Sequence, residues 1–340
     1  MTAPLVVLDA DVLGRERTGD ETYVASLLRH LPALAAGELR FAALTRRPDL
    51  VPSGVEPVHV TARLQELRML VSVPHALGRL RPALAHFQHA LPARCPCPAV
   101  VTVHDLSFER EPLAMGRLDR AIFRRVVPRS VRRAVRILAV SERTRRDLAS
   151  LYGVDQRRIT VAPHGVDPEF TPGGQPGGSY LLFVGAVQAR KDPLAAARAA
   201  AELGMRLVVA GPTRDRRLAR ELVRRGADVR GYVSKQELVD LYRGAACLVL
   251  PSRYEGFGLP VVEAMACGTP VVATPDPALR EVAGEAAVFA GADGLADAVR
   301  RALAERERLV ALGLEQAKRY SWAETARRTL AAYREALAEA

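Results

Sequence analysis

Aromatic residues are scarce in this chain, 5% of 340 positions, and that scarcity removes one ready explanation of its charge. The formal net charge is +11, from 49 Lys and Arg against 38 Asp and Glu, and nearly all of the positive side is Arg. Surfaces that hold single-stranded nucleic acid interleave basic residues with aromatic stacking platforms. Here the arginines are scattered and the platforms are missing. What remains is an attraction for phosphorylated ligands or anionic membrane, or simply a solvated Arg-rich surface. Cysteine is also sparse: Cys95, Cys97, Cys247 and Cys267. None has zinc-finger spacing, and a chain this long needs no disulfide framework, so all four are expected to be reduced and buried. No uninterrupted apolar stretch reaches the roughly 18 residues of a membrane span. The opening "MTAPLVVLDA" has no basic segment before its apolar run and reads as a first strand rather than a secretory signal. These absences describe a cytoplasmic protein, long enough to divide into two domains.

What is present is an alternation of near-continuous apolar strands with amphipathic helices. Strands are expected at 5–10, 39–45, 82–89, 98–105, 135–141 and 158–165, with helices at 20–36, 65–80 (broken at Pro74), 116–136 and 142–153. "DPEFTPGGQPGGS" (167–179) interrupts the pattern with Pro and Gly and reads as a linker. The alternation then restarts, with strands at 180–186, 205–212, 228–233, 246–252, 269–274 and 286–291, and helices running to the C-terminus. Such alternation implies parallel sheets covered on both faces. The expected fold is therefore α/β, with two doubly wound Rossmann-like domains facing a cleft. Their bounds are expected at 1–170 and 171–318, with a last helix at 319–340 returning to the first domain. Ligands of such folds bind off the carboxyl ends of the strands.

The stretch "RYEGFGLPVVEAMACGTPVVAT" (253–274) carries two carboxylates where a structural turn needs none. It follows the strand "ACLVLPS", so Glu255 belongs to a loop at a strand's carboxyl end. Pro260 suits the first turn of a helix, which places Glu263 about one turn in. Gly256 and Gly258 offer bare backbone N–H groups at a helix start, where anions are favoured. A carboxylate accepts hydrogen bonds only and so suits vicinal hydroxyls of a ribose or sugar. A glycine turn with one glutamate stabilising the helix dipole would explain one of the two carboxylates, not both.

"EGFGLPVVE" resembles the E-x7-E signature of retaining glycosyltransferases of GT-B architecture, family 4, and the resemblance extends over nearly the whole chain. It implies that Glu263 holds the ribose diol of a nucleotide-sugar. Glu255 would then contact hydroxyls of the transferred sugar, and the amides of Gly256, Phe257, Gly258 and Leu259 the sugar and diphosphate. In "FVGAVQARKDP" (183–193), Lys191 stands six residues after Gly185, as in the family, but Ala186 replaces the usual Arg. Arg190 and Lys191 form an Arg-Lys pair that can neutralise a departing diphosphate. That pair inclines the donor towards GDP-mannose. By the same resemblance His104 contacts the donor sugar and Gly19, in "RTGDETY" (17–23), lets backbone approach the diphosphate and acceptor; Asp20 and Glu21 stand where a second Gly is usual. Tyr232 is counted with the donor-binding residues. Asp105 could orient His104, and His164 is taken as structural or hinge-related.

Asp9-Ala10-Asp11 is read as strand-end and turn chemistry, not a metal motif, so no cofactor and no essential metal are expected. The implied function is metal-independent, retaining transfer of a hexose to a hydroxyl of a glycan or lipid-linked glycan. Domain closure would expel water. A nucleotide-sugar epimerase on the same architecture remains an alternative, as does a basic membrane- or nucleic-acid-binding module. A nicotinamide enzyme is disfavoured, because no complete Gly-x-Gly-x-x-Gly follows the first strand. The basic segment 116–135 holds Leu118, Ile122, Phe123 and Val126, expected opposite its arginines before Pro128 disturbs the helix. It is either a solvated face or a surface for anionic lipid.

Overall fold

A computed structural model describes residues 3–15, 18–62, 64–111, 115–173 and 178–339. The chain divides into two compact units: 1–106, 117–164 and 322–340 in the first, 107–116 and 165–321 in the second.

The first unit is built on a seven-stranded sheet: β1 (Leu5–Asp9), β2 (Arg40–Thr45), β3 (Val55–His59), β4 (Leu84–Gln88), β5 (Ala99–Val103), β6 (Arg136–Ala139) and β7 (Ile159–Val161). The strands lie in the order β3-β2-β1-β4-β5-β6-β7, every pair parallel. The strand direction of crossovers therefore switches between β1 and β4, and their carboxyl ends diverge there. β1 is buried at every position, as an inner strand covered on both faces must be. The final helix, Trp322–Ala338, belongs to this unit; its Tyr333 hydroxyl lies 2.6 Å from His86 Nδ1 on β4.

One strand was missed and two local expectations are corrected. β3 was not foreseen, because Pro57 and an exposed pattern disguise it; it is the edge strand, where a proline can be accommodated. The helix at 65–80 does not break at Pro74. Its path is Gln65–Leu67, a π turn at Arg68–Ser72, then Val73–Leu80. Val73 N donates five residues back to Arg68 O, and Met69 O is freed to accept from Ala93 N. Pro74 thus sits at the start of the last segment, where its missing N–H matters least. Helix Arg117–Arg133 also continues through Pro128, because Val127, Pro128, Ser130 and Val131 are buried and packing offsets the local cost of about 3 kcal/mol. Its first half is different: Leu118 is 74% and Ile122 43% exposed, so these side chains do not pack inward.

The second unit repeats the plan with β8 (Tyr180–Val184), β9 (Arg206–Ala210), β10 (Asp228–Gly231), β11 (Cys247–Leu250), β12 (Val271–Ala273) and β13 (Ala287–Phe289). The order is β10-β9-β8-β11-β12-β13, again all parallel. Alanines of helix Pro193–Glu202 and of Leu295–Ala304 pack with Phe183, Val209 and Val249 in the core. Helix Pro277–Ala283 was not anticipated; Asp276 caps it by accepting from Ala278 N. All four cysteines are free thiols, but only Cys247 and Cys267 are buried. Cys95 and Cys97 are half-buried, because they flank Pro96 at an exposed loop tip rather than filling a core.

Candidate active site

β8 and β11 are neighbours at the point where strand order reverses in the second unit, and the loops after them carry the residues singled out from sequence. After β8 the chain passes Gly185 (φ +151°) into the short turn Ala189–Lys191. After β11 it passes Arg253 to Gly258 and enters helix Leu259–Ala266. The two loops are joined at three places. Arg253 N donates to Arg190 O (2.9 Å), Arg190 Nη1 donates to Tyr254 O (2.6 Å), and Lys191 Nζ reaches both oxygens of Glu255 (2.5 and 2.6 Å). Arg190 Nη1 stands 3.8 Å from the same carboxylate. Burial alone would raise the Glu255 pKa, but the charges of Lys191 and Arg190 outweigh it and hold the carboxyl below its ordinary range. Glu255 is therefore a buried anion with two cations, leaving one net positive charge.

Glu263 meets the opposite fate. It lies on helix Leu259–Ala266, 8% exposed, and its Oε2 accepts from the Tyr242 hydroxyl at 2.8 Å. Burial pushes its pKa up to about 7, partly opposed by the Tyr242 hydrogen bond. The helix starts at Gly258, whose φ of +106° suits glycine, and a Cβ there would lie 2.6 Å from Leu279 Cδ2. This glycine is what lets Phe257 (4% exposed) turn inward and the helix begin beside Glu255. Gly256 and Leu259 complete the turn. Tyr232 follows β10, the sheet's edge strand, and is 50% exposed.

Sequence reasoning missed Tyr242, which is fully buried and bonded to Glu263 from a helix 21 residues away. Nothing in the local spacing links the two. It also missed Gly211. A Cβ at Gly211 would lie 2.3 Å from Gly185 O, so this second glycine allows the backbone of the β8 loop its position.

In the first unit His104 lies just past β5 and is 8% exposed. Its Nε2 is 2.9 Å from Gln88 Oε1 and its Nδ1 3.4 Å from His164 Nε2, so Gln88 is its close orienting partner. Asp20 Oδ1 is 3.9 Å away. Burial pushes the His104 pKa down to about 4, against the pull of Asp20, and the imidazole is neutral at physiological pH. His164 stacks on His104 with centroids 5.4 Å apart and also faces Trp322 at 5.5 Å. Tyr23 packs edge-on against both histidines.

Gly19 is not in a glycine loop. It falls in the first turn of helix Thr18–Ala35, has no positive φ, and a Cβ there would meet nothing within 4 Å. The preceding Arg17 lies outside the described residues. Glu21, in that helix turn, accepts from Gly14 N at 2.6 Å. The Asp9-x-Asp11 carboxylates are held by arginines. The buried Arg68 pairs with Asp9, and Arg46 Nε donates to Asp11 Oδ1 at 2.8 Å. Among the described residues, no cluster of three or more His, Cys, Asp or Glu is arranged to hold a metal ion.

Residues 17–170 match the family described as Glycosyltransferase Family 4, and residues 178–305 match Glycosyl transferases group 1. D-inositol 3-phosphate glycosyltransferase of Nocardia farcinica is 34% identical over 286 residues, covering 71% of this chain and 62% of its own. D-inositol 3-phosphate glycosyltransferase 1 of Catenulispora acidiphila is 33% identical over 285 residues, covering 71% and 67%. This chain thus spans roughly three fifths to two thirds of the length of these curated relatives. Sucrose-phosphate synthase from Thermosynechococcus elongatus shares the fold, with a TM-score of 0.80 over 99% of this chain and 100% of that one at 19% identity. With the two-sheet α/β architecture and the carboxylate-bearing loop after β11, these matches establish that the chain belongs to the family 4 glycosyltransferases of GT-B type.

Proposed function

We propose that the protein transfers a hexose, with retention, from a nucleoside diphosphate sugar to an acceptor hydroxyl, and that the second unit binds the donor. The observation that carries this reading is the buried Glu255 paired with Lys191 and Arg190 at the β8/β11 switch point, with a second buried carboxylate, Glu263, on the helix that follows. Glu263, once ionised, accepts both hydroxyls of a ribose diol. Lys191 and Arg190 supply the charge that a leaving diphosphate needs, and Glu255 keeps them poised until the donor arrives. Both oxygens of Glu255 are engaged by Lys191, so this carboxylate is suited to hold sugar hydroxyls, not to attack the anomeric carbon. In the step itself, the acceptor oxygen bonds to the anomeric carbon as the carbon–phosphate oxygen bond breaks. The acceptor's proton passes to the departing diphosphate on the same face. The cationic pair takes the role a divalent metal would otherwise have, and transfer is expected to persist in excess chelator.

The Arg190-Lys191 pair makes GDP-mannose the first donor to test. For the acceptor, the printed function of the relatives favours a phosphorylated cyclitol, D-inositol 3-phosphate, over a lipid-linked glycan. Incubation of a donor panel with inositol phosphates and with glycan acceptors, read by proton NMR of the product's anomeric centre, tests the reading. The expected product retains the donor's anomeric configuration, whereas an inverted product or donor epimerisation without transfer would overturn it.

A peripheral membrane contact through residues 116–135 is a further part of the proposal. The exposure of Leu118 and Ile122 among the arginines of helix Arg117–Arg133 favours it over a merely solvated face.

A further inference from the structure

The loop between β4 and β5 holds a pair of thiols that the glycosyl-transfer reading does not use. Cys95 and Cys97 flank the exposed Pro96, both half-buried, and their sulfurs face one another at 3.9 Å. Residues two apart in a chain are separated by at most about 7 Å, near the upper end of the Cα separations a disulfide spans. The loop is tied to its surroundings on the N-terminal side of the pair. Leu91 N donates to Ser130 Oγ (2.9 Å), Arg133 Nη1 to Pro92 O (3.3 Å) and Ala93 N to Met69 O (3.2 Å). It begins at His89, a non-glycine residue at φ +57° whose ring is 5.2 Å from that of His104. Three tethers and a proline hold the two sulfurs in one place instead of letting them sample many.

We propose that Cys95 and Cys97 form a vicinal dithiol that closes reversibly to a disulfide by exchange with a low-molecular-weight disulfide. The Cys95 thiolate attacks one sulfur of that disulfide, forming a mixed disulfide and releasing one small thiol. Cys97 then loses its proton and attacks the Cys95 sulfur, expelling the second small thiol. The protein loses two hydrogens and the small disulfide gains them. The order of events follows from the two environments. The hydrogen bond from Cys97, helped by the charge of Arg133, outweighs burial and brings the Cys95 thiol down to about 7, whereas Cys97 is held up by the same hydrogen bond. Cys247 and Cys267 are buried, and burial pushes both thiols up to about 12, so neither competes as an attacking group.

The test exposes the reduced full-length protein to glutathione disulfide, then denatures it, alkylates the remaining thiols and maps the peptides by mass. In the wild type two of the four thiols should disappear and reappear as a 95–97 link within one peptide, with no glutathione retained, and dithiothreitol should restore all four. Cys97→Ser should stop at the first stage and keep one glutathione on Cys95. Cys95→Ser should form no intramolecular link, and any glutathione it takes up should stay on Cys97. Wild-type protein that keeps four alkylatable thiols, or that loses Cys247 or Cys267 instead, would overturn the proposal. The wild-type map decides this by itself should either serine variant fold poorly.

Discussion

Glu255 and Glu263 stand eight residues apart and answer burial in opposite ways. Glu263 titrates near 7 in the fold and near 4.5 in the unfolded chain. Between those values the folded protein holds a proton that the unfolded chain has already lost. The group's contribution to stability therefore falls as pH rises from about 4.5 to about 7 and is constant above, a total on the order of 3 kcal/mol. Diol recognition needs the ionised form, so donor affinity should rise over the upper part of that window. Calorimetric donor titrations at about pH 6 and about pH 8 check this; an affinity independent of pH would show that Glu263 is not the diol's acceptor. Glu263→Gln should remove this one contribution to the pH dependence of stability and also weaken the donor, because an amide nitrogen cannot accept. Glu255→Ala should lower turnover more than affinity, by about 1–3 kcal/mol in activation free energy. A kcat within twofold of wild type would sink that assignment.

At the scale of elements, two glycines separate structural need from expectation. Gly258 has φ +106° and Leu279 in its way, so Gly258→Ala should destabilise the second unit by about 1–3 kcal/mol. Gly19 has neither constraint, and Gly19→Ala should leave the melting temperature unchanged or slightly higher. Thermal unfolding of both variants tests the pair, and equal losses would contradict it. The contrast also marks what could be read from sequence. The order of strands and helices, the loop after β11 and the helix that carries Glu263 all follow from local apolar runs, Gly and Pro. β3 did not, because an exposed edge strand with Pro57 lacks the apolar run that identifies its neighbours. The smooth passage through Pro74 and Pro128 did not either, since a π turn and tertiary burial absorbed what local propensity forbids. In the site, the residue types were legible but their partners were not. That Lys191 pairs with Glu255 and Tyr242 with Glu263 depends on which strands become neighbours, which no window of sequence contains.

For the whole molecule, the two units should respond to pH in opposite senses. His86 and His104 of the first unit are pushed by burial to about 3 and about 4, and His164 is lowered as well. Below about 6.5 the unfolded chain takes up protons these rings refuse, so the first unit loses stability as pH falls towards 4. The Glu263 contribution in the second unit moves the other way. Hydrogen exchange read by mass spectrometry at several pH values should show protection of β4 and β5 declining in acid before that of β8 and β11; a single uniform loss would contradict this. The basic helix makes a second prediction at this scale. Co-sedimentation with anionic vesicles at low salt should exceed that with neutral vesicles, each arginine near the surface contributing about 1 kcal/mol. Equal partitioning would leave helix Arg117–Arg133 as solvated surface. Among the described residues no helix is long and apolar enough to cross a membrane.

The most direct test of the account is release of nucleoside diphosphate from a panel of sugar donors by the wild type and by Glu263→Ala, measured side by side in excess chelator with inositol 3-phosphate as acceptor. The account predicts acceptor-dependent release from at least one donor by the wild type. The variant should show a donor KM raised by about tenfold or more, as expected for a lost hydrogen bond to a charged group. Equal release by both proteins, or none from any donor until manganese is added, would contradict it.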